Sequence, residues 1–251
     1  MIDIKISNIK NLPLVSRGKS ANVYALNEKY VLKLYLKNYS TALIDYEVKA
    51  AQIAYSLGIS TPLIKKIKVE NRVGIVIERV EGLTIDETLK RLPWKLFEMA
   101  KLLASLQVKI HSCDVSGLIH FNRAKRKQIY SDKKLSKQSK ETAIQILDAL
   151  PDNNSFCHGD FKLNNIIVTS DGAKVIDWSY AVSADPYFDV ARTILLLQAD
   201  YKKRKFGLTK LCVYFYIKLF IKIYIKHYLQ LNNVSSPQII KTYLALERLT
   251  Q

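Results

Sequence analysis

Four side chains in the second half of the chain have types and a spacing that suit acid–base and metal chemistry. His158 is followed by Gly159 and Asp160, and Asn165 comes five residues after Asp160. Asp177 lies twelve residues beyond Asn165, directly after a short apolar run. A carboxylate can accept a proton, and carboxylate and amide oxygens are the ligands that hard cations prefer. A lone aspartate in a loop is more often a turn or cap residue, so the argument rests on the whole pattern.

The pattern reads H-x-D-x-x-x-x-N, then a hairpin, then a late aspartate. It resembles the catalytic and metal-binding loops of the protein-kinase-like superfamily. Glycine directly after the histidine resembles the small-molecule branch, the aminoglycoside phosphotransferase and choline kinase group known as the phosphotransferase enzyme family. This resemblance implies that Asp160 is the catalytic base and that Asn165 and Asp177 bind Mg²⁺. It also implies ATP as the phosphoryl donor, with GTP as an alternative, and we expect His158 to be structural.

Two further elements support the same resemblance. The segment 185–191 resembles the family element D-P-x-x-D-[LV]-A, in which Asp189 is expected to brace the catalytic loop, with a helix cap as an equal alternative. Lys162 resembles the lysine of many protein-kinase catalytic loops, although many small-molecule relatives lack it. The resemblance covers about residues 15–195.

The fold that the resemblance implies requires a lysine that binds nucleotide phosphates and a glutamate that holds it. Lys33 lies in an apolar, strand-like run, and Glu47 follows 14 residues later in a helical pattern. Asp45 is the competing partner, on a different face of that helix. A strand lysine taken alone is more often a solvent-facing residue, so the assignment of Lys33 and Glu47 depends on the Asp160 loop.

The nucleotide needs a covering loop and a hinge as well. The turn at residues 17–20 has one glycine, and Gly18-Lys19-Ser20 is not a P-loop because Pro13 stands where the first glycine is required. Backbone amides near Ser20 are expected to cap phosphates. Residues 78–82 fall where the resemblance places the hinge, and we expect backbone groups at Glu78 and Val80 to bind the adenine edge.

The elements that must position these residues change character along the chain. Residues 1 to about 80 are rich in strand patterns, with a helix at 41–57 and a hairpin from 63 to 80 turned at Asn71-Arg72. Thr84 and Glu87 fit a capping box, and from there the pattern is mainly helical. We expect an α+β, bilobal protein-kinase-like fold: a β-rich nucleotide-binding lobe at 1–81 with a hinge at 78–82, and a helical lobe at 82–251 with the catalytic loop and acceptor site.

The charge distribution bears on partners. The chain of 251 residues has a formal net charge of +17, and residues 201–251 hold ten basic side chains and one acidic. Lys218, Lys222 and Lys226 interrupt the most apolar stretch, which therefore does not predict a membrane span. The favoured interpretation of these lysines is a solvated helix face over a core stripe. Peripheral contact with an anionic membrane or glycan is the alternative, and no nucleic-acid partner is expected. The oligomeric state stays open.

Three widely spaced cysteines and the lack of a signal-peptide pattern favour the cytoplasm. We expect an ATP- and Mg²⁺-dependent transfer of phosphate to a hydroxyl of a small molecule: a sugar, an aminoglycoside-like compound, a nucleoside or a lipid-linked glycan. The few carboxylates late in the chain make a polycationic acceptor less favourable. The alternatives are a catalytically silent binding protein on a kinase scaffold, and a kinase acting on an anionic surface glycan or lipid.

Overall fold

The structure is a computed structural model that describes residues 9–203, 210–233 and 238–250, without the side chains of residues 10, 200–203 and 210. The start of the strand-rich region, residues 1–8, lies outside this part. The described chain divides into two compact units. The first unit contains the chain up to Gly82 together with residues 169–179, and the second contains residues 83–168 and the chain from Tyr180 onward.

An antiparallel sheet of five strands and one helix form most of the first unit. The bounds are β1 Leu14–Arg17, β2 Ala21–Ala25, β3 Tyr30–Tyr35, α1 Thr41–Ser56, β4 Leu63–Val69 and β5 Arg72–Glu78, and residues 169–179 add β9 Gly172–Val175. The sheet order is β1-β2-β3-β5-β4, and the helix α1 follows β3 in the chain.

Side chains of β3 alternate between two apolar clusters, as the two-residue period of a strand requires. Leu32 and Leu34 are fully buried in one cluster with Val76 of β5. Tyr35 is buried in the other cluster, where it packs with Ile44 of α1. Lys33 shares the Tyr35 face because it is two residues away, and this register directs its ammonium group toward the helix.

The ends of two elements are set by local backbone chemistry. Helix α1 stops at Ser56, and Gly58 has a φ of 70° that continues the chain in the left-handed region, as predicted for a terminating glycine. The β4–β5 turn is made by Glu70 and Asn71, with φ values of 47° and 60°. The sequence placed this turn one residue later; a two-residue turn with two positive φ values suits the twist of a hairpin and puts Arg72 into β5.

The second unit is mainly helical. Thr84 caps its first helix with the predicted box: the Thr84 hydroxyl accepts from the Glu87 amide, and the Glu87 carboxylate accepts from the Thr84 amide. The bounds are β6 Leu83–Thr84, α2 Ile85–Arg91, α3 Leu96–His111, α4 Phe121–Ser131, α5 Lys137–Asp148, β7 Ser155–Cys157, β8 Ile166–Thr169, β10 Val182–Ala184, α6 Pro186–Lys203, α7 Lys210–Leu231 and α8 Gln238–Leu249.

Helices α3 and α7 lie side by side and run in the same direction. Tyr216 donates to the carbonyl of Pro93 just before α3, and His111 at the end of α3 contacts the Tyr228 hydroxyl near the end of α7. Short strand pairs, β6 with β8 and β7 with β10, hold the loop segments between helices. The predicted α+β fold, with a strand-rich first part and a helical second part, is confirmed. None of the helices in the described ranges is long and apolar enough to cross a bilayer.

Candidate functional site

A cluster around Lys33 occupies the helix-facing side of the sheet in the first unit. The Lys33 Nζ lies 2.5 Å from Glu47 Oε1 and 2.9 Å from Asp177 Oδ1. Glu47 is buried on α1 together with Ile44, Ala50 and Ala54, a helical spacing that turns it toward the sheet. The structure therefore brings together three of the predicted site residues, and we call this group, with the two hydroxyl residues described next, the lysine cluster.

Two hydroxyl groups complete the lysine cluster. The Tyr35 hydroxyl donates to Glu47 Oε2 at 2.8 Å, and the Ser179 hydroxyl lies 3.1 Å from the same oxygen and 2.5 Å from Asp177 Oδ1. Burial, followed by the charge of Glu47, raises the pKa of Tyr35, so this hydroxyl stays protonated and acts as a donor. Glu47 thus meets one cation and two hydroxyl groups, which offsets much of the penalty of burying its charge.

The lysine cluster keeps Lys33 charged. Burial alone would lower the pKa of Lys33, but the charges and hydrogen bonds of Glu47 and Asp177 outweigh it, and the pKa is raised. Asp177 has a φ of 66°, a left-handed conformation that aspartate tolerates better than most residues. Its side chain is 38% exposed while that of Glu47 is 5% exposed, so Asp177 is the carboxylate of the pair that can also reach a ligand.

The other predicted residues of the first unit lie outside the lysine cluster. Asp45, the competing partner for Lys33, forms an exposed ion pair with Lys66 instead. Ser20 lies in the β1–β2 turn, and its carbonyl accepts from the Leu36 amide. This turn is tight: Gly18 donates to the Ala21 carbonyl, and a Cβ at Gly18 would lie 2.8 Å from that oxygen.

The predicted hinge residues follow the central part of the sheet. Glu78 ends β5, where its amide donates to the Pro62 carbonyl and its own carbonyl accepts from the Thr61 hydroxyl. Val80 lies two residues beyond the strand and is half-buried. Because the Glu78 amide is used within the unit, its carbonyl, which has a second lone pair, is the group of Glu78 that a ligand could still engage.

Asp160 and Asn165 come together in the loop of residues 158–165, which follows β7 in the second unit. The Asn165 amide nitrogen lies 2.9 Å from the Asp160 carbonyl oxygen and 3.2 Å from Asp160 Oδ2. Lys162 Nζ lies 2.6 Å from the same carboxylate oxygen. Since the nitrogen of Asn165 is used in these contacts, the oxygen is the atom of this amide that can bind a cation.

His158 has the structural role expected from the sequence. It is fully buried, and its Nδ1 lies 3.1 Å from the Asp160 amide, which donates to it. Gly159 has a φ of 74°, and a Cβ built there would lie 2.1 Å from the Tyr180 carbonyl oxygen. This position therefore excludes every side chain for two reasons, backbone conformation and contact with Tyr180. The glycine between His158 and Asp160 is a requirement of the loop.

Asp189, in the first turn of α6, fixes the backbone at the start of the 158–165 loop. Its two carboxylate oxygens accept from the amides of His158 at 3.0 Å and Gly159 at 2.8 Å. The Gln107 amide and His111 Nε2, both on α3, lie 3.1 and 3.2 Å from Oδ2. Burial alone would raise the pKa of Asp189, but hydrogen bonding and charge, those of His111 foremost, lower it to about 2. The expected bracing role of Asp189 is confirmed by these contacts.

A second support reaches the loop from α8, a helix for which the sequence predicted no role. Arg192 of α6 donates from Nε to the Gly159 carbonyl, and its Nη1 lies 3.2 Å from Glu247 Oε2. Lys125 of α4 lies 2.6 Å from Glu247 Oε1, and both of these side chains are almost fully buried. Glu247 therefore balances two cations and links two helices to the residue that precedes Asp160.

Three buried side chains have the residue types of a metal site, but their protonation and hydrogen bonds do not suit metal binding. His111, Cys157 and Asp189 offer ligand atoms within 4.8 Å of one another. Burial raises the pKa of the Cys157 thiol well above its ordinary value, so the thiolate that a metal requires is disfavoured. The Asp189 oxygens already accept hydrogen bonds from two backbone amides. We interpret this group as part of the loop support.

Sequence reasoning missed several residues that these contacts single out. Tyr35 could have been found, because it follows Lys33 by two residues and so shares its face. Ser179, two residues after Asp177, gave a weaker signal of the same kind. Gln107, Arg192 and Glu247 lie on helices whose patterns predict only burial, and no short motif links them to the loop.

Replacement of Gly159 tests the packing of the loop. We expect Gly159→Ala to lower the free energy of unfolding by about 3 kcal/mol, because it combines an unfavourable positive φ with a clash against Tyr180. Gly172→Ala is the matched control: φ there is 136°, but a Cβ would meet no atom within 4 Å. The control should lose about 1 to 2 kcal/mol, from backbone strain without a clash. Equal losses in urea unfolding would contradict the clash.

The depressed pKa of Asp189 predicts a pH dependence of stability. Its pKa in the folded state, about 2, lies below the ordinary value of 3.8, so ionised Asp189 adds stability above pH 4 that is lost as the pH falls toward 2. Between pH 5 and 2 the wild-type protein should lose about 2 kcal/mol more than Asp189→Asn. The control Asp152→Asn changes an exposed carboxylate, and its free energy of unfolding should fall with pH as much as that of the wild type. Parallel curves for wild type and Asp189→Asn in urea unfolding would refute the assignment.

Comparison with known proteins gives one relative by sequence and several by structure. A protein of Metamycoplasma hominis named protein LicA homolog is 27% identical over 150 residues, 56% of this chain and 57% of that protein, so the match spans little more than half of the curated relative. The structure of an aminoglycoside-3'-phosphotransferase of type VIII has a TM-score of 0.65 at 16% identity, with 94% of this chain and 92% of that chain covered.

Two other solved structures share the fold. The amicoumacin kinase hAmiN, in complex with AMP-PNP, Ca²⁺ and Ami, has a TM-score of 0.66 at 14% identity, with 97% of this chain and 80% of that chain covered. A choline/ethanolamine kinase family protein from Mesorhizobium loti has a TM-score of 0.54 at 17% identity, with 96% and 88% covered. The model of the phosphotransferase enzyme family matches residues 11–204, about three quarters of the chain, and includes the lysine cluster, the 158–165 loop and Asp189. The chain therefore belongs to the phosphotransferase enzyme family.

Proposed function

We propose that this protein is an ATP- and Mg²⁺-dependent kinase that phosphorylates a hydroxyl group of a small molecule. The observation that carries the proposal is the lysine cluster, in which the buried Lys33 is held by Glu47 and Asp177. A charged lysine with a raised pKa, beside a partly exposed carboxylate, suits the binding of phosphate groups together with a cation. Membership of the phosphotransferase enzyme family supports the same reaction class.

In this proposal the nucleotide binds to the first unit. Lys33 binds its phosphates, Glu47 fixes the direction of the lysine, and backbone amides at Ser20 cap phosphate oxygens. The Glu78 carbonyl and the backbone of Val80 bind the purine edge. Solved structures with this fold contain different nucleotides: hAmiN was solved with AMP-PNP, and APH(2")-IIia with GDP and kanamycin. We take ATP as the donor and keep GTP as the alternative to be tested.

The donor set fits a hard divalent cation. Asp177 presents a partly exposed carboxylate, and Asn165 has an amide oxygen left by its contacts with Asp160. These are oxygen ligands of the kind that Mg²⁺ prefers. When bound, the ion would neutralise phosphate charge. The chain contributes the positions of these two oxygens. The lysine cluster fixes the Asp177 carboxylate, and the 158–165 loop fixes the Asn165 amide.

Asp160 is the proposed base. Its carboxylate accepts from Asn165 and pairs with Lys162, and these contacts hold it in one orientation while it remains 9% exposed. It would accept the proton of the acceptor hydroxyl as the new oxygen–phosphorus bond forms and the bond between the γ-phosphorus and the leaving ADP oxygen breaks. Lys162 is placed to stabilise negative charge near that oxygen. Asp189 and Arg192 act through the loop backbone and are positioning residues.

The acceptor is proposed to be neutral or anionic rather than polycationic. The net charge of +17 disfavours the approach of a cation. Glu247, one of two carboxylates beyond Asp189, is buried and paired with Lys125 and Arg192, so it is not offered to a ligand; the side chain of the other, Asp200, lies outside the described structure. A sugar, a nucleoside or a lipid-linked glycan fits better than an aminoglycoside. A cytoplasmic location stays a prediction from the cysteine content.

Removal of the proposed base tests the reaction. Asp160→Asn should lower phosphoryl transfer by a factor of about 10³, within the range for loss of a general base, while ATP affinity changes by less than about twofold. ADP release is measured over a panel of sugars, nucleosides, glycans and aminoglycosides, with the exposed variant Asp152→Asn as control. Full activity of Asp160→Asn would exclude Asp160 as the base. Stimulation by aminoglycosides alone would contradict the proposed acceptor class.

Nucleotide binding is tested by thermal shift, with each variant compared with its own ligand-free state. ATP with Mg²⁺ should stabilise the wild-type protein by several degrees. Lys33→Met should lose most of this shift, and Asp177→Asn should lose the part that EDTA removes from the wild type. Lys66→Met, which breaks an exposed ion pair in the same unit, is the control and should keep the shift. No shift for the wild type with ATP or GTP would favour a silent binding protein on a kinase scaffold.

A further inference from the structure

The outer face of α7 carries apolar side chains that nothing in the described structure covers. Leu211 and Phe215 are 61% and 59% exposed, and Leu219 is 41% exposed. They recur every four residues and so form one stripe along the helix. The inner face is already filled by the buried residues Phe220, Tyr224 and Tyr228. The sequence pattern predicted a core stripe here, and Phe215 shows that the apolar character extends to the opposite side.

The same end of the helix pair exposes two more aromatic side chains. Trp94, in the 3-10 turn just before α3, and Phe97, in the first turn of α3, are 71% and 57% exposed. The hydrogen bond from Tyr216 to Pro93 brings the first turns of α7 beside this segment. Trp94, Phe97, Leu211, Phe215 and Leu219 are together called the end patch. Exposed apolar groups of this size, gathered at one end, are typical of an interaction surface rather than of scattered surface residues.

Lysines run along α7 next to the end patch. Lys218, Lys222 and Lys226 recur every four residues, and their exposed side chains are not paired with any carboxylate of the described chain. Lys218 lies over the Tyr214 ring, 4.4 Å from its centre. Glu98, in the first turn of α3, is itself paired with Lys95. The single acidic residue after position 200, Glu247, is buried in its own ion pairs. The surface is therefore both apolar and strongly positive.

This combination distinguishes between possible occupants. A second copy of the chain in a twofold dimer would place the same patch on both sides of the interface, and the lysine rows would then face one another. A negatively charged partner removes that repulsion. Aromatic and aliphatic side chains that insert between headgroups, beside lysines that contact phosphates, suit the interface of an anionic bilayer. No nucleic-acid recognition motif accompanies these lysines.

We propose that the end patch and the lysine row of α7 form a docking surface for membranes that contain anionic phospholipid. Phe215, Leu211 and Trp94 enter the interface, and Lys218, Lys222 and Lys226 bind lipid phosphates. The proposal does not depend on the kinase reaction, because none of these residues belongs to the lysine cluster or to the 158–165 loop.

The test is co-sedimentation of the full chain with two kinds of vesicle, pure phosphatidylcholine and phosphatidylcholine with 30% phosphatidylglycerol. The wild-type protein should bind the second kind at least tenfold more strongly, and 0.5 M NaCl should weaken this binding. The triple variant Lys218→Gln, Lys222→Gln, Lys226→Gln should lose roughly fivefold per lysine. Leu211→Ser with Phe215→Ser should lose binding without a change in thermal stability, since both side chains are exposed.

Matched controls separate the surface from net charge and from activity. Lys127→Gln, Lys133→Gln, Lys134→Gln removes the same charge from another exposed basic region, and Tyr130→Ser removes an exposed aromatic of α4; both should bind like the wild type. Asp160→Asn should also bind like the wild type, so failure of the kinase proposal would leave this result untouched. The proposal is overturned if the two triple variants lose equally, if vesicle charge has no effect, or if the Phe215 variant instead breaks a dimer or abolishes duplex DNA binding.

Discussion

The helical unit depends on the hydrogen bonds that the fully buried carboxylate of Asp189 accepts. Asp189 accepts hydrogen bonds from two consecutive backbone amides, those of His158 and Gly159. Two side chains of α3, Gln107 and His111, are further partners of the same carboxylate. An unpaired carboxylate in this position would be strongly destabilising, because its desolvation would not be offset. With these partners the ionised form is favoured, and the backbone that leads into Asp160 is fixed from one side.

The loop has a second support that works through a different chemistry. Arg192 contacts the Gly159 carbonyl, Glu247 pairs with the Arg192 guanidinium, and Lys125 pairs with Glu247. Gly159 is therefore constrained at its amide, at its carbonyl and at the missing side chain, which Tyr180 excludes. Such constraint on all sides is what preorganisation of a catalytic carboxylate requires, since a small displacement of a base lowers its rate contribution.

In the lysine cluster, two carboxylates keep Lys33 charged although its side chain is largely buried. Glu47 is buried and saturated by hydroxyl groups and Lys33, whereas Asp177 is more exposed and shares the same lysine. The two carboxylates thus differ in environment, one suited to holding the lysine and the other to meeting a ligand. More than half of the net positive charge of the chain comes from residues after position 200. On α7 these lysines lie beside exposed apolar side chains.

The amino-acid sequence alone determined the α+β order of elements, the capping box at Thr84 and the stop at Gly58, because each of these depends on short spacing or on local backbone chemistry. The family resemblance of the sequence singled out Lys33, Glu47, Asp160, Asn165 and Asp177, whose roles in binding and catalysis stay predictions. The sequence pattern misplaced the β4–β5 turn by one residue, since two positive φ values decide that turn. Only the tertiary structure decided that Tyr35, Ser179, Gln107, Arg192 and Glu247 support the predicted residues, and that Phe215 faces outward. Those facts depend on contacts between segments as far as 132 residues apart, such as Ser179 with Glu47, and no local pattern encodes which faces of distant elements meet.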